Sequence, residues 1–127
     1  MTVVAAVIER HGRILICQRR EGRHAHKWEF PGGKVEPGED FPTALARELR
    51  EELQIEATIG DELHHELVQY PGSTYINLHF YRVTHFHGEP VNTEFEQMLW
   101  EERQNLTAYD FLDGDLAFVQ KLAAHSE

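Results

Sequence analysis

Apolar and polar positions follow two patterns along the chain, and the first is typical of β-strands. Residues 2–9 form a run rich in Val and Ile, which is typical of a buried strand, and residues 14–18 form another after the turn at Gly12. The two runs predict a β-hairpin. Apolar or alternating runs between turn residues predict further strands at residues 55–59, 63–70, 75–85 and 95–100.

A helical rhythm begins after residue 40. Residues 43–53 read TALARELREEL, which are mostly strong helix formers, and Pro42 is compatible with a first helical turn. Leu45, Leu49 and Leu53 recur every four positions and make one apolar stripe. The pattern predicts an amphipathic helix that buries these leucines.

A second helix is predicted to open at residues 113–115, with Leu116, Val119 and Leu122 at roughly helical spacing. Strands and two helices are interleaved without a regular βαβ repeat. This order predicts an α+β fold with a mostly antiparallel or mixed sheet.

Length and charge limit the classes of function. The 127 residues and 14.8 kDa predict one domain, residues 1–127. Asp and Glu number 22 against 12 Lys and Arg, for a net charge of −10. A surface of this sign is not expected to hold a nucleic-acid polymer or an anionic membrane by charge attraction. An anionic substrate would need a cation between itself and the protein, and a divalent metal is the obvious candidate.

Cysteine content and hydropathy indicate the compartment. Cys17 is the single cysteine, so no internal disulfide can form, and no CxxC zinc spacing exists. The apolar run at residues 3–8 is too short for a transmembrane helix and does not resemble a signal peptide. We therefore expect a cytoplasmic protein.

Three carboxylates share one side of the predicted helix. Glu48, Glu51 and Glu52 are three and four positions apart and span an arc of about 100°. Their mutual repulsion would be relieved by a hard divalent cation such as Mg²⁺ or Mn²⁺, which prefers oxygen ligands. Arg47 can hold one carboxylate in place, and Glu39 could fold back onto the helix. The alternative is a solvated charged face with ion pairs such as Arg47–Glu51.

The segment before the helix favours the metal site. Gly32 and Gly33 let the backbone approach a ligand closely or turn a carbonyl toward a cation. Glu39 lies six positions after Gly33, and Arg47 lies eight positions after Glu39. Residues 47–55 then read RELREELQI. This arrangement resembles the Nudix hydrolase signature GX5EX7REUXEEXGU, in which U is a bulky aliphatic residue. One fixed position differs, since Gln54 stands where the pattern has the glycine that ends the helix.

The resemblance extends beyond the signature. The lead-in WEFPGGK at residues 28–34, the N-terminal hairpin with Gln18 and Arg19, and the C-terminal stretch are similar to MutT-like members and to relatives that cleave pyrimidine nucleoside triphosphates. The resemblance implies an α/β/α sandwich around a mixed sheet. It also implies hydrolysis of a nucleoside triphosphate to the monophosphate and pyrophosphate.

Roles follow from the resemblance at each matching residue. Glu48 and Glu52 become the main Mg²⁺ ligands, with Glu51 assisting and the Gly32 carbonyl as a further ligand; Mn²⁺ is an alternative metal. Arg47 positions the catalytic carboxylates, and Glu39 orients the site. Metals in such a site neutralise phosphate charge and lower the pKa of bound water.

The general base is left open between two kinds of position. Some family members take it from the signature, which here means Glu51 or Glu52. MutT-like members place a Glu on the loop before the last strand, where Glu94 is the best match and Glu96 its rival. The alternative for Glu94 is an exposed loop acid with no role, and geometry decides such a role before pKa does.

Candidates for phosphate binding lie close to the glycines. Arg19 could bind a phosphate by a charge-assisted pair of hydrogen bonds, or could be a surface arginine. His24 and Lys27 are weaker candidates for the same task. Gly33 would let a substrate approach the backbone closely.

Candidates for base recognition come from three parts of the chain. Phe30 and Phe80 could contact a nucleobase, although a buried core position is the commoner fate of a Phe. Asp115 falls where the oxidised-guanine enzymes carry an Asn, and it would accept a hydrogen bond from an exocyclic amine. The alternative for Asp115 is helix capping.

Three functions are compared. The leading one is a Mg²⁺-dependent triphosphate pyrophosphohydrolase that removes modified or surplus nucleotides, including 8-oxo-dGTP or a pyrimidine triphosphate. The second is hydrolysis of another diphosphate, such as ADP-ribose or a nucleotide sugar. The third is a binding module without catalysis, although such modules usually lose signature carboxylates that are present here. In each case the partner is a small nucleotide, and the oligomeric state is left open between monomer and dimer.

Overall fold

The structure is a computed structural model that describes residues 1–72 and 74–125. Its strands and helices begin and end as follows: β1 Thr2–Arg10, β2 Arg13–Gln18, β3 Trp28–Glu29, β4 Gly32–Lys34, α1 Phe41–Leu53, β5 Glu56–Thr58, β6 Glu62–Gln69, β7 Tyr75–Val83, β8 His85–His87, β9 Gln97–Glu102, the 3₁₀ helices Arg103–Ala108 and Asp113–Asp115, and α2 Leu116–Ala124.

The main sheet is mixed, as the sequence predicted. Strands run in the order β3-β2-β1-β7-β6, with β4 paired to β1 and β9 paired to β2. β1 and β7 are parallel, in a register from Thr2 opposite Asn77 to Ile8 opposite Val83. The other pairings in this sheet are antiparallel. The α+β prediction is therefore confirmed at the level of topology.

Two apolar cores lie on opposite faces of this sheet. β1 contributes to both, because successive side chains of a strand point to opposite faces. Val4, Ala6 and Ile8 pack with Leu45, Leu49 and Leu53 of α1. Ala5 and Val7 pack instead with Phe118, Val119 and Leu122 of α2. The predicted leucine stripe of α1 is fully buried, and the result is a helix–sheet–helix sandwich.

Two sequence predictions were wrong in detail. The strand predicted at residues 75–85 is two strands, because the chain leaves the main sheet at Thr84 and β8 pairs with β5 in a separate small sheet. Leu116, predicted for the apolar stripe of the last helix, is 44% exposed, and Phe118 takes the buried position.

Within residues 1–72 and 74–125, no helix combines the length and the apolar composition that crossing a membrane requires.

Helix α1 ends at its C-cap, Gln54, the residue that stands in place of the signature glycine. Gln54 adopts the left-handed conformation, with φ 60° and ψ 37°, and its N–H donates to the carbonyl of Arg50 at 3.1 Å. A glycine would adopt this conformation without steric cost, whereas a residue with a Cβ atom pays about 1 kcal/mol. The helix therefore ends with the geometry expected of the signature glycine, at a cost in stability.

Candidate functional site

Gly32 and Gly33, here called the glycine loop, lie next to the carboxylates of Glu48 and Glu52 on α1. β4 pairs with β1, which places Gly33 opposite Val4 and Gly32 opposite Ala5. A Cβ atom on Gly32 would overlap the carbonyl of Val4, and one on Gly33 would overlap the carboxylate of Glu48. Gly32 is therefore required by the close approach of the Val4 backbone, whereas a side chain at Gly33 would force the Glu48 carboxylate to move.

Arg47 gathers three carboxylates around one guanidinium. Its Nε and Nη2 donate to the two carboxylate oxygens of Glu39 at 2.7 and 3.0 Å, which is a bidentate pair. Its Nη1 lies 3.2 Å from Glu48 Oε2 and 3.3 Å from Glu51 Oε1. Nη2 also donates to the Lys34 carbonyl at 3.1 Å. Glu39 therefore does fold back onto the helix. Arg47 connects α1 to β4 through the Lys34 carbonyl.

Hydrogen bonding and burial shift the pKa values of Glu39, Glu48 and Glu52 in different directions. The bonds from Arg47 lower the pKa of Glu39 to about 2. Burial raises the pKa of Glu48, against the lowering effect of Arg47. Burial, followed by the charges of Glu94, Glu29 and Glu48, raises the pKa of Glu52 to about 8. Glu52 is thus a carboxylate in a site with an excess of negative charge.

Glu52 is fixed against the glycine loop rather than against a cation. Its Oε1 accepts a hydrogen bond from the Gly32 N–H at 3.2 Å. Within the described residues it makes no ion pair, in contrast to Glu39, Glu48 and Glu51. A part-buried carboxylate without a cationic partner is costly unless something neutralises it.

A cleft of about 750 Å³ opens beside these residues, a size that suits a small-molecule ligand. Eight of the sequence-predicted residues line it: Arg19, His24, Phe30, Gly32, Gly33, Glu52, Glu94 and Asp115. Seven do not: Glu39, Arg47, Glu48, Glu51, Phe80 and the weaker candidates Lys27 and Glu96. The first four of these form the Arg47 cluster, while Phe80 is a separate case.

Phe80 is a correction to the predicted base contacts. Its side chain is 0% exposed and packs behind Phe30, with the ring centroids 6.0 Å apart at an interplanar angle of 87°. Its ring also packs against that of Phe118, with the ring centroids 4.4 Å apart. Phe80 therefore supports Phe30 from within the core and has no surface left for a substrate.

The loop before β9 brings Glu94, and not Glu96, to the cleft. The Thr93 hydroxyl donates to the backbone carbonyl of Glu52 at 2.9 Å, which anchors the loop to the end of α1. Glu94 lines the cleft, and its charge helps to raise the pKa of Glu52. The Glu96 side chain is 49% exposed and lies 3.9 Å from Arg20 Nε. Of these two candidates, Glu94 lines the cleft beside Glu52 and Glu96 does not.

Arg19 is held in the cleft by Glu29, a residue to which the sequence assigned no role. Arg19 Nη1 donates to Glu29 Oε1 at 3.0 Å, and Arg19 Nε is buried without a partner among residues 1–72 and 74–125. Burial raises the pKa of Glu29, and the charge of Arg19 opposes the rise. Lys27, in contrast, binds Asp110 at 2.9 Å and does not line the cleft.

Asp115 lies at the α2 side of the cleft in a largely apolar environment. It is 6% exposed, and apolar residues that line the same cleft include Phe30, Ile76, Leu78 and Leu112. Burial, and to a smaller extent the charge of Glu29, raises its pKa well above the usual range. Its side chain makes no capping hydrogen bond to α2, which argues against the capping alternative.

Sequence reasoning missed Glu29, Tyr70 and Thr93. Glu29 lies within the WEFPGGK lead-in, which was the one available signal. Tyr70 and Thr93 reach the cleft only through the packing of β6 and of the loop before β9. No local pattern marks these two residues.

The groups around the two glycines are oxygen donors of the kind that divalent metals bind. Among the described residues, no three His, Cys, Asp or Glu side chains stand close enough to form a complete ligand set. The groups that meet at the glycine loop are carboxylates and backbone carbonyls, which are hard oxygen donors. Glu52 in particular lacks a neutralising cation. The chemistry of these donors fits Mg²⁺ or Mn²⁺ and does not fit a soft metal.

Comparisons with known proteins agree with this geometry. The NUDIX domain family model matches residues 1–122. The CTP pyrophosphohydrolase of Escherichia coli K12 is 41% identical over 123 residues, covering 96% of this chain and 90% of that protein. The 8-oxo-dGTP diphosphatase of Haemophilus influenzae is 36% identical over 122 residues, covering 94% and 89%.

Solved structures show the same similarity in three dimensions. The solution structure of the E. coli ORF135 protein matches with a TM-score of 0.87 and 40% identity, over 97% of this chain and 88% of that one. A MutT structure, from work on Aliivibrio salmonicida and Vibrio cholerae, matches with a TM-score of 0.81 and 31% identity, over 97% and 96%.

Proposed function

We propose that this chain, which belongs to the Nudix hydrolase family, hydrolyses a nucleoside triphosphate to the monophosphate and pyrophosphate in a Mg²⁺-dependent reaction. The family resemblance drawn from the signature residues is confirmed, as is the conclusion that the protein is an enzyme. The identity of the nucleotide and the dependence on metal are the parts that we propose.

One observation carries the proposal. A single cleft is lined by Glu52 and Glu94 beside the α1 end of the fold, by Arg19, and by Phe30 and Asp115 beside the α2 end. Acidic groups suit a metal–polyphosphate, whereas an apolar wall with one buried polar group suits a nucleobase. The two kinds of lining match the two ends of a nucleotide.

Glu48, Glu51, Glu52 and the Gly32 carbonyl are the residues that would hold the metal. A bound divalent cation supplies neutralisation of phosphate charge and a water of lowered pKa. The protein supplies the placement of its own groups. Arg47 holds Glu48 and Glu51 in place through Nη1 while its bidentate bond to Glu39 anchors the guanidinium.

Glu94 is proposed as the general base. It would take a proton from the attacking water while the water oxygen bonds to phosphorus and the P–O bond to the departing group breaks. Arg19 lines the cleft with a side chain that is 39% exposed, and it would pair with a phosphate oxygen through a guanidinium N–H other than the buried Nε–H. Glu29 acts through Arg19, by fixing its Nη1 at 3.0 Å.

The base is proposed to lie between Phe30 and Asp115. Relatives named for CTP and for 8-oxo-dGTP both match this chain, so a pyrimidine triphosphate and an oxidised purine triphosphate are the two substrates to compare first. The second candidate from sequence, a hydrolase of ADP-ribose or a nucleotide sugar, has no feature of the cleft in its favour. Retention of all the signature carboxylates disfavours a binding module without catalysis.

The remaining expectations belong to the same proposal. We propose a single domain over residues 1–127, which the family match over residues 1–122 supports. We also propose a cytoplasmic enzyme of the free nucleotide pool. Its partner is a small nucleotide rather than a nucleic-acid polymer or a membrane, in keeping with the net charge of −10.

The test is a steady-state assay over a panel of nucleoside triphosphates, with Mg²⁺, with Mn²⁺ and with EDTA. The expected products are the monophosphate and pyrophosphate, formed only in the presence of metal. Glu52→Gln and Glu94→Gln should lose most of this activity, whereas Glu56→Gln, which changes an exposed partner of Arg50, should retain it. Absence of pyrophosphate release from every triphosphate would overturn the proposal.

A further inference from the structure

Tyr70 reaches the cleft from the end of β6 and touches the segment that carries Asp115. Its hydroxyl oxygen accepts a hydrogen bond from the backbone N–H of Gly114 at 3.0 Å. Its ring lies against His24, with a centroid distance of 5.3 Å, and His24 also lines the cleft. Tyr70 thus joins two walls of the cleft.

The hydroxyl of Tyr70 has one hydrogen-bonding function left. A phenol both accepts and donates, and the Gly114 N–H occupies its acceptor side. The structure gives its O–H no acceptor among residues 1–72 and 74–125. Burial raises the pKa of Tyr70, so the hydroxyl keeps its proton at neutral pH. A donor without an acceptor therefore lies in the wall of the cleft.

Tyr70 and Gly114 pack closely enough that a side chain at Gly114 would be crowded. A Cβ atom on Gly114 would lie 2.9 Å from the Tyr70 hydroxyl oxygen and 2.9 Å from Leu78 Cδ1. Because Asp115 follows Gly114 directly, the Tyr70 hydroxyl is bonded to the residue next to Asp115 in the 3₁₀ helix Asp113–Asp115. The Tyr70 hydroxyl supplies a donor, and the Asp115 carboxyl supplies an acceptor through its carbonyl oxygen, which is present in either protonation state.

We propose that Tyr70 is a specificity-determining residue whose hydroxyl donates to a ring nitrogen of the nucleobase while Asp115 accepts from the neighbouring exocyclic amine. The proposal rests on the function proposed above. Cytosine has such an edge, with its C4 amine beside the unprotonated N3, and adenine has the same pair at C6 and N1, so among the pyrimidines this arrangement favours cytosine. Uracil presents a carbonyl and an N–H at the same positions, so a donor–acceptor pair arranged for cytosine is mismatched to it.

The first experiment compares Tyr70→Phe with the wild type in kcat/KM for CTP and UTP. The expected result is a loss of about tenfold for CTP, mostly in KM, and little change for UTP, since one hydrogen bond to the base is removed. Tyr75→Phe is the matched control, because it removes a hydroxyl from a residue that is 54% exposed and does not line the cleft. An equal loss for both nucleotides would mean that Tyr70 only supports the fold, and would overturn the proposal.

The second experiment removes the acceptor from the substrate instead of the donor from the protein. With 3-deaza-CTP, which has carbon in place of the ring nitrogen, the wild type should lose about as much as Tyr70→Phe loses with CTP, and Tyr70→Phe should lose little more. A further full loss in the variant would overturn the proposal. This readout holds for the folded wild type even where the variant is unstable.

Binding without turnover separates this inference from the function on which it rests. CMP and UMP are titrated into metal-free protein and followed by NMR chemical shifts. If no triphosphate is hydrolysed, the proposed function fails, but stronger binding of CMP than of UMP that Tyr70→Phe removes would still support the role of Tyr70. If neither nucleotide binds, or if the variant binds both as the wild type does, the role of Tyr70 is wrong.

Discussion

Glu52 Oε1 accepts a hydrogen bond from the Gly32 N–H at 3.2 Å, so the last carboxylate of α1 is joined to the glycine loop across 20 residues of chain. This bond stabilises the ionised form, yet burial and three neighbouring carboxylates raise the pKa of Glu52 to about 8. In the absence of a cation, the site holds Glu52 at the expense of stability.

The Glu52→Gln substitution should therefore raise the stability of the metal-free protein while abolishing turnover. The folded-state pKa of about 8 lies above the ordinary value of 4.5, so the folded protein retains a proton that the unfolded chain releases. The wild type then loses stability, relative to the variant, as pH rises from 4.5 to 8. Thermal unfolding in EDTA across this range measures the effect.

Glu56→Gln provides the matched control for this pH dependence. It removes the same charge from an exposed side chain that pairs with Arg50 at 3.0 Å. Its difference from the wild type should not grow with pH as that of Glu52→Gln does. Added Mg²⁺ should stabilise the wild type more than Glu52→Gln, and an equal effect on both proteins would contradict the proposed ligand role.

Gly33→Ala should disable the site without unfolding the protein. The new methyl group would overlap the Glu48 carboxylate, which must move away from the loop. We expect a loss of at least about tenfold in metal-dependent kcat, by analogy with the loss of partners that orient metal ligands. Gly38→Ala is the comparison, since Gly38 has a positive φ of 85° but no atom within 4 Å of an added Cβ. That variant should lower the melting temperature and leave kcat nearly unchanged.

Arg47→Lys should weaken the site although the charge is kept. A lysine cannot bind both oxygens of Glu39 and reach Glu48 and Glu51 at the same time, because its ammonium lacks the planar fork of the guanidinium. We expect roughly a tenfold to hundredfold loss of activity, with a higher Mg²⁺ requirement. Arg50→Lys, at an exposed pair on the same helix, should behave as the wild type. Full activity of Arg47→Lys would show that the bidentate geometry is dispensable.

Gln54→Gly should stabilise the protein. Gln54 has a φ of 60°, and glycine removes the steric cost of this conformation, although it also increases the entropy of the unfolded chain. The net gain should be about 0.5 kcal/mol or less in the free energy of unfolding. Urea denaturation measures it, and a loss of stability in this variant would mean that the Gln54 side chain stabilises the helix end.

Helix α1 could be predicted closely because its signals are local. The spacing of Leu45, Leu49 and Leu53 fixed the buried side, and the signature fixed the positions of the acids. The break between β7 and β8 could not be predicted, because residues 75–85 contain no glycine or proline to mark a strand end. The chain changes sheet there only because β5 provides a partner for β8.

The candidate site could be predicted in its acids but not in its surroundings. Arg47, Glu48 and Glu52 belong to one short segment with a fixed spacing, whereas Glu29 and Tyr70 enter the cleft through contacts between distant strands. Phe80 illustrates the opposite error. An aromatic residue on a strand can face either the cleft or the core, and only the packing of Phe30 and Phe118 against it decides between them.

The parallel pairing of β1 with β7 has a consequence for the order in which the protein forms. Thr2 pairs with Asn77, so the strand that carries the glycine loop on one edge receives its other neighbour only after most of the chain has been synthesised. Contacts between such distant positions slow folding. On the ribosome, α1 and its acids emerge well before the sheet that supports them is complete, so we expect that a nascent chain ending before β7 holds no organised cleft.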